Sequence, residues 1–98
     1  MYSYIFEPRA AIEYKEAILW YLEISLYAAE NFDKLLKARI DEICLNPTLH
    51  NKTRKNYREA VVVKYPFSVI YFVEEEIRTV VIISIFHHKR NPKLKYRM

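Results

Sequence analysis

There is no glycine anywhere in the 98 residues. Glycine turns a chain through positive φ at no steric cost. Its absence excludes a glycine-rich phosphate loop and leaves every turn to Asn, Asp, Pro or strained backbone, which predicts longer connections rather than tight hairpins. Cysteine is nearly as scarce. The single Cys44 rules out an internal disulfide and, set in an apolar-periodic stretch, reads as a small buried hydrophobe suited to a reducing compartment. No apolar run approaches the roughly 18 residues of a membrane span, and the start has no basic-then-apolar leader pattern. A cytoplasmic chain with no membrane contact is expected. His50, His87, His88 and Cys44 follow no ligand spacing, and neighbouring histidines on a strand diverge, so neither a metal nor another cofactor is expected. Ser68 and Ser84 lie inside apolar strands, which gives a serine nucleophile no support.

What is present is apolar and aromatic. Hydrophobic residues make up 52% of the chain and aromatics 15%, too much for a disordered tail and enough for one small core over residues 1–98. The net charge of +4 is unevenly placed: residues 1–46 carry −3 and residues 47–98 carry +7. The second half thus has a face able to attract phosphate, or one that merely keeps the chain in solution.

Tyr2 to Phe6 alternates aromatic and branched residues and predicts a strand that stops at Glu7-Pro8. Proline suits the first position of a helix, and Ala10, Tyr14, Ala17, Ile18 and Tyr21 recur at helical spacing to about Ile24, with Glu13, Glu16 and Glu23 assigned to other faces. A second helix follows from the stripe Ala28, Phe32, Leu36, Ile40 and Ile43 and ends at Asn46-Pro47. Residues 48–56 read as a polar, basic loop. Three strands come next, Tyr57 to Tyr65, Phe67 to Glu74 and Ile77 to Phe86, with Glu74-Glu75-Glu76 at a hairpin tip. The order predicts an α+β fold: an N-terminal strand, a two-helix hairpin and a three-stranded antiparallel meander, the helices packed on one sheet face. In the last strand Ile77, Val81, Ile83 and Ile85 are expected on one face and Val80, Ile82 and Phe86 on the other. Both faces are then apolar, and the one without helices needs cover from loops, a second copy or a partner segment.

With these elements in order, particular motifs acquire meaning. Phe32, Leu36, Ile40, Ile43 and Asn46-Pro47, then Tyr57-Arg58, then Lys64-Tyr65-Pro66-Phe67 with Ile70-Tyr71, and finally Ile85-Phe86-His87-His88-Lys89-Arg90-Asn91-Pro92, resemble the RelE/ParE superfamily of bacterial toxins over nearly the whole chain. The resemblance implies the toxin of a type II toxin–antitoxin pair, inhibiting growth until a cognate antitoxin wraps it, as a hetero-oligomer or alongside a homodimer. Members like RelE cleave messenger RNA on the ribosome. Members like ParE poison DNA gyrase without known catalytic chemistry.

Metal-free RNA cleavage needs a base for the 2′-hydroxyl, an acid for the leaving oxygen and cations around the phosphorane. The resemblance carries these roles to Arg58, His87, His88, Arg90 and Tyr96, with Lys52, Arg54, Lys55, Lys64, Lys89 and Lys93 as nucleic-acid contacts. His88 is preferred to His87, which falls in register with Ile83 and Ile85. Each also has a plain structural reading: a hydrogen-bonded histidine at a strand end, an Arg58 paired with Glu59 or a helix carboxylate, a solvated tail from Lys93 to Arg97. Lys95 stands where the gyrase-poison branch usually has tryptophan, and only Lys64 and Arg78 add charge to the middle strands, where the nuclease branch often has more. The set favours ribosome-dependent cleavage slightly, with a gyrase poison or a non-toxic antitoxin-binding module as rivals.

Overall fold

A computed structural model describes residues 1–96; Arg97, read above as part of the basic tail, lies outside the described residues. The chain runs β1 (Ser3–Phe6), α1 (Pro8–Ile24), α2 (Leu26–Leu45), β2 (Lys52–Arg54), β3 (Tyr57–Val61), β4 (Phe67–Glu74) and β5 (Thr79–His87), with 3₁₀ turns at Glu75–Ile77 and Pro92–Leu94.

The helices form where the periodicity places them. Pro8 starts α1, and one residue, Ser25, separates the helices in an extended conformation. Its N–H closes α1 on the Tyr21 carbonyl, and its hydroxyl accepts from Ala28 N–H at 3.0 Å. The same serine ends one helix and caps the next. The stripe of Phe32, Leu36, Ile40 and Ile43 is fully buried, each side chain contributing about 1.5–3 kcal/mol by leaving water.

The sheet order is β1-β5-β4-β3-β2. β1 lies parallel to β5 at one edge, and the other neighbours are antiparallel. The α+β fold with two helices on one face is as the pattern predicts, but the sheet has one strand more. Within the expected basic loop, Lys52–Arg54 pairs with β3 through a two-residue turn at Lys55 and Asn56. The preference for longer connections fails there because Lys55 accepts φ 53°, as Lys64 and Arg78 do at 69° and 47°. Left-handed backbone at each of these non-glycine residues costs roughly 1–2 kcal/mol. β3 ends at Val61 rather than Tyr65, since the chain turns at Lys64, and β5 starts at Thr79 because Glu75–Ile77 coil into the hairpin.

The core has two layers. Between helices and sheet lie Phe32, Leu36, Ile40, Ile43, Val69, Tyr71, Val80, Ile82 and Ile85. On the other face Ile70, Val81, Ile83 and Phe86 are buried beneath Tyr57, Phe72, Leu94 and Tyr96. The chain's own C-terminal segment therefore supplies part of the cover. Expected facing holds for Val80, Ile82, Val81 and Ile83 but not for Ile85, which joins the helix-side core, nor for Phe86, which joins the other layer. The reason is a break in the β4–β5 ladder, where the adjacent Ile70 and Tyr71 pair with Ser84 and Ile82 and leave Ile83 as an extra residue.

Candidate functional site

Two concavities stand on opposite faces of the sheet. The first is a polar notch of about 250 Å³ lined by Arg54, Lys55, Tyr57, Lys93 and Tyr96. The β2–β3 turn delivers Arg54 and Lys55, and the tail brings Lys93 and Tyr96 back across the sheet. Tyr57 and Tyr96 stack at 5.2 Å between centroids and 19° between planes, and the Arg54 guanidinium lies 5.7 Å from the centre of the Tyr96 ring. Tyr96 donates to Glu59 at 2.5 Å and bonds the Thr53 hydroxyl, while Lys95 Nζ meets Glu59 at 3.2 Å. Burial and then the Glu59 hydrogen bond raise the phenol's pKa above its ordinary value. Tyr96 thus stays protonated at neutral pH and is a donor, not a base. Positive side chains beside stacked rings suit a phosphate next to a base or sugar.

The second concavity is a cleft of about 620 Å³ between α1 and the end of β5, lined by Glu13, Glu16, Ala17, Trp20, Pro66, Phe67, Ile85, His87, Lys89 and Arg90. Its indole is 58% exposed although the next residue, Tyr21, is core. His87 meets Phe67 edge-on at 4.9 Å, and its Nδ1 accepts the Lys89 N–H at 3.0 Å, which leaves Nε2 to carry the proton. Burial first, then His88 and Lys89, lower its pKa, so the ring is neutral at pH 7.

The predicted site residues divide between these places. Arg54, Lys55, Lys93 and Tyr96 come together in the notch; His87, Lys89 and Arg90 line the cleft. His88 is exposed on the open face, with Nε2 2.8 Å from Ser68 Oγ. Arg58 turns toward the helix layer, where Nη1 donates to the carbonyls of His50 and, at 3.4 Å, Thr48. It meets neither Glu59 nor a helix carboxylate in those bonds; it fastens the loop after α2 to β3. Lys52 and Lys64 are exposed, Lys64 on the β3–β4 turn, and neither lines the notch. Among the described residues no group of three or more His, Cys, Asp or Glu side chains could hold a metal ion, and no helix is long and apolar enough to cross a membrane.

Sequence reasoning missed Glu13, which is only 7% exposed. Its Oε1 accepts from Ser84 Oγ at 2.7 Å and Ile85 N–H at 3.1 Å; its Oε2 accepts from Arg9 Nε at 3.4 Å and from Arg90 Nη1. The signal was its spacing, three residues after Ala10 and four before Ala17, on the buried face of α1.

A family model described as the ParE toxin of the type II toxin–antitoxin system parDE matches residues 4–92. The chain belongs to the ParE toxin family. No curated protein matches the sequence. Among solved structures, the ParE-family chain is similar to the isolated E. coli RelE toxin, at TM-score 0.66 and 21% identity over 95% of this chain and 90% of that one. It is also similar to a chain of the intact E. coli RelBE toxin–antitoxin complex, at TM-score 0.66 and 22% identity over 92% and 100%. A chain of the chromosomal ParDE system from P. aeruginosa aligns at TM-score 0.60 and 16% identity over 89% and 96%. These likenesses establish a RelE-like fold, and the family match makes the chain a type II toxin of the RelE/ParE superfamily.

Proposed function

We propose that this toxin arrests growth by gripping the complex of DNA with gyrase through the notch of Arg54, Lys55, Tyr57, Lys93 and Tyr96, without cutting a bond itself. The observation that carries the reading is the dispersal of the groups cleavage would need. Arg58 is spent on loop carbonyls, Arg90 on Glu13, His87 lies on the helix side, and Tyr96 is held protonated by burial and Glu59. A binder needs no acid–base set assembled, only cations and ring faces on one surface. With purified gyrase and supercoiled plasmid, the protein should accumulate cleaved DNA, and Arg54→Glu with Lys93→Glu should abolish the effect. Unimpaired supercoiling by gyrase at doses that stop growth would overturn the reading.

One observation favours a second reading, ribosome-dependent messenger RNA cleavage. His88 is exposed on the sheet face that carries Tyr96, its ring bonded to Ser68. Primer extension after induction should then reveal cuts that His88→Ala removes; intact transcripts during full arrest dismiss it. Either way a small antitoxin partner fits. The similar structures include a toxin–antitoxin complex and a ParDE system, and the Trp20 cleft offers a segment of such a partner an apolar wall of Trp20, Pro66, Phe67 and Ile85.

A further inference from the structure

A bulge adds one residue to a strand and reverses, for everything beyond it, which face a side chain takes. In β5 the extra residue is Ile83. Before it, Val80 and Ile82 belong to the helix-side core. Regular alternation from there would put Phe86 and His88 on the helix side and Ile85 and His87 on the open face. The observed order is the reverse: Ile85 lies in the helix-side core and His87 meets Phe67 of that core, while Phe86 lies in the other layer and His88 bonds Ser68, the cross-strand partner of Phe86.

The acceptor at this bulge comes from another element. Glu13 sits on α1, buried, with Oε1 on both Ser84 Oγ and Ile85 N–H, the two residues that follow the extra one. We propose that Glu13 is a positioning residue: its Oε1 holds the extra residue in β5 and thereby decides that His88, not His87, is presented on the face that carries the notch. Arg9 and Arg90 hold Oε2 and keep the carboxylate aimed, but they do not set the facing. Without an acceptor at that depth, the strand regains regular pairing by passing its extra residue toward the His88–Arg90 turn. The bearing on toxicity rests on the reading above that the notch face meets the target; the facing itself does not.

The experiment separates reach from charge. In the full chain, Glu13→Gln keeps an oxygen at the Oε1 position and loses the charge, whereas Glu13→Asp keeps the charge and falls one methylene short. Two-dimensional NMR reads the facing through cross-peaks between the His87 and Phe67 rings and between His88 and Ser68. Both sets should survive in Glu13→Gln, with Ile85 N–H still slow to exchange, and both should vanish in Glu13→Asp as His87 gains contacts on the open face. Retention in Asp with loss in Gln would make Glu13 an ion-pair partner only, and retention in both would remove its role. Should Asp fail to fold, Gln alone decides: an Ile85 amide that exchanges at least tenfold faster while the histidine cross-peaks persist overturns the proposal. Because the readout is positional, a chain that proves non-toxic still returns an answer on Glu13.

Discussion

At the scale of single residues, two histidines are held neutral by their surroundings. Burial first, with Arg39 next for His50 and with His88 and Lys89 for His87, lowers both below the ordinary 6.5. The unfolded chain therefore takes up protons that the fold refuses. The stability held above pH 6.5 is lost as pH falls through the lowered folded values. Denaturant midpoints taken from pH 7.5 down to about pH 5 should decline, and His50→Asn combined with His87→Asn should flatten that part of the decline. An identical slope in the double variant would show that other groups govern it. Residues were also where the sequence was least legible. Tyr71 and Arg58 sit next to each other across the ladder, yet each reaches a carbonyl in the segment after α2, Tyr71 that of Pro47 at 2.8 Å and Arg58 that of His50. No local pattern announces such a bond, because its acceptor lies many residues away and belongs to the backbone. Burial pushes the Tyr71 phenol up to about 12, so it remains a donor throughout.

At the scale of elements, the helices and the three main strands could be read from period alone, since apolar spacing directly records which side faces the core. β2 was not legible: Lys52–Arg54 is exposed along its length and carries no buried face to leave a pattern. The bulge was invisible for a related reason, as branched residues fill both faces of β5 and tolerate either register. Its consequence, the exchange of sides by His87 and His88, decided the composition of the notch face. The turns make a separate prediction. Lys55, Lys64 and Arg78 each hold positive φ without being glycine, so Lys64→Gly should relieve about 1–2 kcal/mol of left-handed strain against a loss of roughly 0.5–1 kcal/mol in unfolded-chain entropy. A melting temperature higher by a few degrees is expected, and the same change at Arg78 should add to it. Lower melting temperatures at both sites would mean that the turns carry no such strain.

At the scale of the whole molecule, the charge split seen in the sequence becomes a division of labour. The acidic half forms the helix layer, and the basic half supplies the notch on the far side of the sheet. If Arg54, Lys55 and Lys93 each neutralise one phosphate, binding of a short duplex oligonucleotide should fall with salt at a log–log slope near −2.7, about −0.9 per contact. Replacing any one of them with Gln should bring the slope toward −1.8. A slope indifferent to all three would remove the notch as the contact surface.

Trp20 is the only tryptophan in the chain, and it stands at the rim of the cleft with its indole mostly in water. The protein therefore carries an optical gauge of its own. A segment that seats in that cleft dries the ring and shifts its emission to the blue, and contact confined to the notch leaves the colour unchanged. Partner capture and target engagement can be watched separately, in one cuvette, with no label attached.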